Sequence, residues 1–164
     1  MNALTVATAQ YVPLLIPLAP AIVWFFLPRR DRLAMAAQAI ISLVVVLGLI
    51  QLAASLHTDP RPFVVNPSVP ALFTHPPDNG FPSDHTALAS TVALLVMIYR
   101  KFLGAMLLAA GIVAGAARVA AHVHHVQDIV AGVGIAVMAV GLAVLIWRWA
   151  RPRLPHRLAP LFSA

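Results

Sequence analysis

The sequence predicts an all-α integral membrane protein, a bundle of about five transmembrane helices with its reactive groups gathered at one face. Three observations carry this. Of the 164 residues, 61% are hydrophobic and 10% charged, with a mean hydropathy of +0.89, well outside the range of soluble domains. The apolar residues fall into long runs separated by short polar breaks, and the ionisable residues sit at the ends of those runs. The length suits one domain over 1–164, and the runs leave no room for a separate soluble module.

Cysteine is absent, which excludes disulfides and thiolate metal sites. A net charge of +6 in a soluble chain would suggest nucleic acid. Here the basic residues flank apolar runs, so membrane lipids are the expected surroundings and no nucleic-acid partner is expected.

The elements follow in order. Residues 1–10 lack a charged start, and the first apolar run continues to Leu27 without a small-residue cleavage pattern, so it is expected to be retained as a helix. Residues 11–27 are long enough for a short span, with Pro13, Pro17 and Pro20 kinking it near its start. The charged stop at 28–32 precedes a second span over 33–56, inside which Gln38, Ser42 and Gln51 are expected to be interhelical packing contacts.

Residues 57–82 hold seven prolines and no helical period, which makes a loop of unusual length; in so economical a chain it is expected to cover an active site. A third span over 86–99 opens after Pro82-Ser83-Asp84-His85, with Ser83 or Asp84 as N-cap. Arg100 and Lys101 separate it from a fourth over 102–117, rich in the small residues that let membrane helices approach closely. A fifth covers 129–147, and residues 148–164 form a basic tail. Trp24, Trp147 and Trp149 fall near one boundary, as an interfacial belt would.

Alternation of five spans brings Arg29, Arg30, Arg32, Arg100, Lys101, Arg148, Arg151, Arg153 and Arg157 to one side, which the positive-inside rule makes cytoplasmic. Only Arg61 and Arg118 fall on the other side. With them go Asp59, Asp78, Asp84 and Asp128, and His57, His75, His85, His122, His124 and His125. One composite site on the outer face is the expectation; the bland alternative is that the two arginines snorkel to headgroups.

Two guanidiniums and a helix N-terminus carrying Ser83 suit a tetrahedral oxyanion such as phosphate. Hydrolysing a phosphoryl group requires a nucleophile or activated water and a proton donor for the leaving oxygen, and histidine can serve as either near neutral pH. His124 and Asp128 are four residues apart, so the carboxylate can accept the Nδ1 proton and aim Nε2 outward as a nucleophile. His85, brought from another helix, is then free to be the general acid.

These residues resemble the signature of the PAP2 superfamily of membrane lipid phosphatases: an Arg-Pro pair, a Pro-Ser-x-His, and an arginine followed by a histidine and an aspartate. They stand here in that order as Arg61-Pro62, Pro82 to His85, and Arg118…His124…Asp128. The resemblance implies that His124 forms a phosphohistidine, Asp128 orients it, and His85 protonates the leaving group. Arg61, Ser83 and Arg118 would hold the phosphoryl oxygens, with no cofactor and no metal.

Where the family often has a lysine seven residues before its arginine, this chain has Ala54, so His57 or His75 is the candidate substitute. Ala117 and Val126 replace the usual serine and proline of the third motif. Asp84 replaces the usual glycine and joins the substrate-binding set. With residues 59–63 it is similar to the branch that dephosphorylates undecaprenyl diphosphate in the bacterial cytoplasmic membrane, with the site facing outward. An isoprenoid diphosphate is therefore the expected substrate; phosphatidic acid or phosphatidylglycerophosphate is the alternative.

Two further possibilities stay open. A small transporter or proton-coupled channel would use His and Asp relays, with polar residues expected at mid-helix. A metal chelated by His122, His124 and His125 is disfavoured by the lack of an evident carboxylate behind the histidines.

Overall fold

The computed structural model describes residues 2–153; Met1, and the tail from residue 154 with Arg157, lie outside the described residues. The described chain is helical, and a lone bridge between Pro60 and Asn79 is its extended pairing. The helices are α1 (Asn2–Leu15), α2 (Ala19–Phe25), α3 (Arg29–Leu56), the single turn α4 (Pro62–Val65), α5 (Asp84–Tyr99), α6 (Lys101–Ala120) and α7 (Val126–Ala150).

Four helical stretches are long and apolar enough to cross a membrane: Ala3–Phe25, Arg29–Leu56, Lys101–Ala120 and Val126–Arg153. The fifth expected span, α5, has 16 residues, or about 24 Å at 1.5 Å per residue, against about 30 Å of hydrocarbon. Its N-terminus carries His85.

The first span begins at Asn2 rather than at residue 11, because residues 2–10 contain no glycine or proline and Ala9 buries completely as α1 packs on α6. The prolines act mid-span instead. Pro17 lies in a tighter turn, Ile16–Leu18, that divides α1 from α2. At the other expected breaks, Pro28 leads into α3 and Arg100 alone separates α5 from α6.

α5 is the hub: it contacts α3, α6 and α7, while α3 also packs on α7. Val46, Ile50, Ala87, Ile135 and Ala139 form a cluster joining α3, α5 and α7, and Val23, Leu27, Met35 and Val96 form a second. Gly132 lets α7 lie against the first turn of α5, where a Cβ would come within 3.0 Å of the Ser83 carbonyl and 3.1 Å of the Ala87 nitrogen. Large apolar side chains such as Ile40, Val44, Val130 and Val137 point outward, as lipid-facing residues do. Gln38 and Ser42 are buried packing residues as expected, Gln38 accepting from the Tyr99 hydroxyl at 3.0 Å.

Arg100 Nη2 reaches the Phe26 carbonyl at 3.4 Å, so the arginine-rich turns share one end of the bundle. Residues 57–83 and 121–125 share the other, as Leu72 N donating to the Ala121 carbonyl at 3.1 Å shows. Asn79 anchors the long loop. Its Nδ2 donates to the Ala54 and His57 carbonyls, and its Oδ1 accepts from Asp59 N and Phe81 N. The end of α3, whose last carbonyls lack helical donors, is thereby tied to the chain on either side of Arg61.

Candidate active site

A pocket of about 190 Å³ opens at the histidine-rich end, lined among others by Arg61, His75, Asp78, Asp84, His85, Arg118 and His124. Pockets for drug-sized molecules run to about 300–1,000 Å³. This one has room for a phosphorylated headgroup, with any lipid tail left in the membrane.

His124 lines it from a buried position, with Asp128 behind the ring. α6 ends at Ala120; His122 follows with a φ of 62°, the left-handed conformation that commonly terminates helices. The chain then reverses, so that His125 caps α7 and Asp128 stands in its first turn. His124 Nδ1 donates to Asp128 Oδ2 at 3.1 Å, and the His125 backbone N–H donates to the same oxygen at 2.8 Å. With Nδ1 carrying the proton, Nε2 is the basic nitrogen. Burial pushes the His124 pKa down, the Asp128 bond opposes this, and the charges of Arg118 and Arg61 push it down further; the net shift is downward. The imidazole therefore stays neutral, and able to attack phosphorus, to lower pH than an ordinary histidine.

Each arginine is buried and held by parts of the chain far away in sequence. Arg61 Nε donates to Asp78 Oδ1 at 2.7 Å, and Nη1 donates to the Val123 carbonyl at 2.7 Å and lies 3.3 Å from His124 Nε2. Arg118 Nη1 donates to the Ala9 carbonyl and Nη2 to His75 Nε2, both at 3.2 Å, while Nε is buried without a partner. Burying a charge is costly unless it meets partners, and these acceptors hold the two guanidiniums at the pocket wall. Burial pulls the His75 pKa down; the Pro76 carbonyl and Asp78 oppose this, Arg61 and Arg118 add to it, and the net shift is downward. A neutral His75 suits its role of accepting from Arg118.

The sequence-derived set is largely reunited: Arg61, Asp84, His85, Arg118 and His124 line the pocket, with Asp128 behind His124. Ser83 differs. Its hydroxyl is fully buried, caps α5 by accepting from Thr86 N at 3.4 Å and pairs with the Thr86 hydroxyl at 3.0 Å, and it is not part of the pocket wall. Ser83 is thus the N-cap that its position before α5 suggested.

Ala54 does lie on the wall, and of the two candidate substitutes for a lysine there only His75 joins it. His57 instead stacks edge-on against Phe81, with ring centres 4.7 Å apart. Gln51, expected to be a packing contact, also lines the pocket. Asp78 is marked in the sequence only as one of the acids of that face, and Asn79 not at all, because an Asp-Asn-Gly stretch reads first as a turn.

His122 and His125 are not on the wall. His122 Nδ1 meets the Pro70 carbonyl at 3.1 Å, and His125 Nδ1 meets Asp59 Oδ2 at 2.8 Å. Among the described residues, Asp59, His125 and Asp128 bring donor atoms within 4.8 Å of one another, close enough to consider a metal ion. Asp59 Oδ2 already accepts from His125 and from Gln127, and Asp128 Oδ2 from His124 and His125 N. The two Oδ2 atoms and the His125 ring are thus engaged in holding the loop and α7 together, while Asp128 Oδ1 is buried without a partner.

A buried His–Asp pair and two buried arginines thus gather at one end of a helical membrane bundle. The chain belongs to the PAP2 superfamily, whose family model matches residues 32–153. It is 30% identical over 165 aligned positions to a bacitracin transport permease protein BcrC of Bacillus licheniformis, covering 99% of this chain and 79% of that one. It is 28% identical over 159 positions to a putative undecaprenyl-diphosphatase YbjG of Escherichia coli, covering 96% and 79%. A third match, 30% identical over 94 positions, covers 57% of this chain and 47% of an undecaprenyl-diphosphatase BcrC of Bacillus subtilis. No solved structure matches.

Proposed function

We propose that this protein hydrolyses undecaprenyl diphosphate to undecaprenyl phosphate in the bacterial cytoplasmic membrane, from a pocket that faces outward. The observation that carries the proposal is the His124 Nδ1–Asp128 Oδ2 bond, which leaves Nε2 as the basic nitrogen beside Arg61 and in one pocket with His85 and Arg118. The family and the diphosphatase names of two relatives agree with it.

In the proposed reaction, Nε2 attacks the terminal phosphorus while Arg61 and Arg118 neutralise its oxygens. The bond to the bridging oxygen breaks, and His85 gives a proton to the departing undecaprenyl phosphate. Water then attacks the phosphohistidine, His85 takes a proton from it, and the Nε2–P bond breaks to release orthophosphate. As His124 gains positive charge in the first step, Asp128 stabilises it. Asp84 lies at the pocket mouth in the first turn of α5, where the helix dipole favours a carboxylate.

Phosphate release by purified protein from undecaprenyl diphosphate and from phosphatidic acid tests the substrate. Preference for the diphosphate is expected, and exclusive hydrolysis of phosphatidic acid would reassign the lipid. For orientation, Thr74→Cys should react with an impermeant thiol reagent added to intact spheroplasts and Arg153→Cys should not; the opposite pattern reverses the topology.

The permease name of the Bacillus licheniformis relative favours a second possibility, bacitracin transport. Its test is peptide flux into proteoliposomes in the absence of lipid phosphate release. Against it, the ionisable groups of the bundle gather at its ends and not along a path through it.

A further inference from the structure

We propose that Asp78 is the resident anion of the pocket: its carboxylate holds the Arg61 guanidinium between turnovers, yields it to an entering phosphoryl group, and retakes it to expel orthophosphate. This rests on the functional assignment proposed above and adds a step to it, the release of product.

The two members of the ion pair are unlike. The Arg61 side chain is 6% exposed, whereas that of Asp78, only 2.7 Å away, is 60% exposed. The guanidinium is therefore part of the pocket, and the carboxylate is a partner that reaches in from the solvent side on the loop between Asn66 and Gly80. Burial pushes the Asp78 pKa up, but the hydrogen bond and charge of Arg61 outweigh this and bring it below the usual carboxylate range. Asp78 is accordingly ionised wherever the pocket is neutral to basic, and it occupies the Nε edge of a group whose bidentate face suits a phosphate.

Charge balance agrees. The pocket wall carries two guanidiniums, Arg61 and Arg118, and two carboxylates, Asp78 and Asp84. A phosphate that entered with all four in place would add its charge to a site already balanced. Moving Asp78 out toward water restores the balance, and its carboxylate, the exposed member of the pair, has solvent to move into.

The resting contacts also explain why something must move. Arg61 Nη1 lies 3.3 Å from His124 Nε2, across the lone pair that has to reach phosphorus. Asp78 holds the guanidinium by its other edge, so its departure leaves the Val123 carbonyl as the remaining acceptor and lets the Nε edge of Arg61 turn onto the phosphoryl oxygens, drawing Nη1 off Nε2. The neighbouring arginine has no such competitor. Arg118 is held by a neutral imidazole and a backbone carbonyl, with Nε unpartnered, and remains in place to receive the anion first.

Competition and mere aiming predict opposite signs. If Asp78 competes with phosphate, Asp78→Asn and Asp78→Ser should each strengthen inhibition by orthophosphate and by orthovanadate about 3- to 10-fold and lower KM for the lipid, while Asp78→Glu, which keeps the competing charge, should shift both less than either neutral variant. If Asp78 only aims Arg61, the two neutral variants should bind both anions more weakly and raise KM. Weaker inhibition, or constants unchanged in both variants, overturns the proposal. Two neutral replacements at an exposed position guard against one that fails to fold. A wild type that hydrolyses lipid and is inhibited by phosphate, with variants that do not shift, defeats this inference alone. A wild type that neither releases phosphate from any lipid nor responds to vanadate defeats the assignment beneath it.

Discussion

Arg118 Nη1 donates to the carbonyl of Ala9 at 3.2 Å across 109 positions of sequence, and that carbonyl is one that Pro13 leaves without its helical donor. In a regular helix the N–H of residue 13 would take it; proline has none. A lipid-embedded helix cannot leave a carbonyl unsatisfied cheaply, and a buried guanidinium needs acceptors. Each solves the other's deficit. Pro13 thus leaves the Ala9 carbonyl open to Arg118.

Pro13→Ala restores a competing N–H donor to the Ala9 carbonyl. Because a carbonyl oxygen has two lone pairs, the effect should be modest: KM for the lipid rises about 3- to 10-fold, as for a bond worth about 1 kcal/mol, with kcat little changed. Steady-state kinetics on a variant with wild-type thermal stability checks this, and an unchanged KM would sink it.

The two histidines should separate by role. His124→Ala is expected to abolish turnover of every substrate and any trapped phosphoenzyme. His85→Ala should slow the lipid reaction by about 10²–10⁴-fold but be partly rescued by an activated aryl phosphate, whose leaving group needs no proton. Asp128→Asn should fall between, keeping the imidazole but losing its orientation and charge stabilisation. Equal rescue of both histidine variants would show the roles to be wrong.

Attack requires His124 without a proton on Nε2. Its pKa is shifted downward by burial, with Arg118 and Arg61 adding to the shift and Asp128 opposing it. The acid limb of the kcat/KM profile should therefore lie below the ordinary imidazole value of about 6.5. Arg61→Gln removes a nearby positive charge, so the limb of its residual activity should move up; Asp128→Asn removes the group that favours the charged form, so its limb should move down. Shifts of opposite sign would assign the limb to another group.

Gly132→Ala tests the approach of α7 to α5. The new methyl would meet backbone at Ser83 and Ala87, which cannot swing aside as a side chain can. Moving α7 outward carries Asp128 and His124 away from His85, so kcat should fall by at least about 10-fold, consistent with the sensitivity of catalysis to ångström displacements. Gly141→Ala, where a Cβ meets nothing within 4 Å, is the control and should be close to neutral.

What could be learned from sequence was what is local or periodic. Apolar runs mark spans because hydrocarbon demands about 20 apolar residues of helix, and charges at their ends sorted Arg61, Arg118 and six histidines to one side. His124 and Asp128 could be paired because a spacing of four is itself a contact at a helix start. The tertiary structure decided which distant groups hold those residues in place. Nothing periodic connects Arg61 to His124, Arg118 to Ala9 and His75, or Asp59 to His125; such pairs depend on the path of a proline-rich loop and on the register of packed helices. Ser83 shows the same division. A serine at a helix start can cap the helix, as its sequence position suggests; only the fold shows that the side chain is fully buried and that its hydroxyl also pairs with the Thr86 hydroxyl.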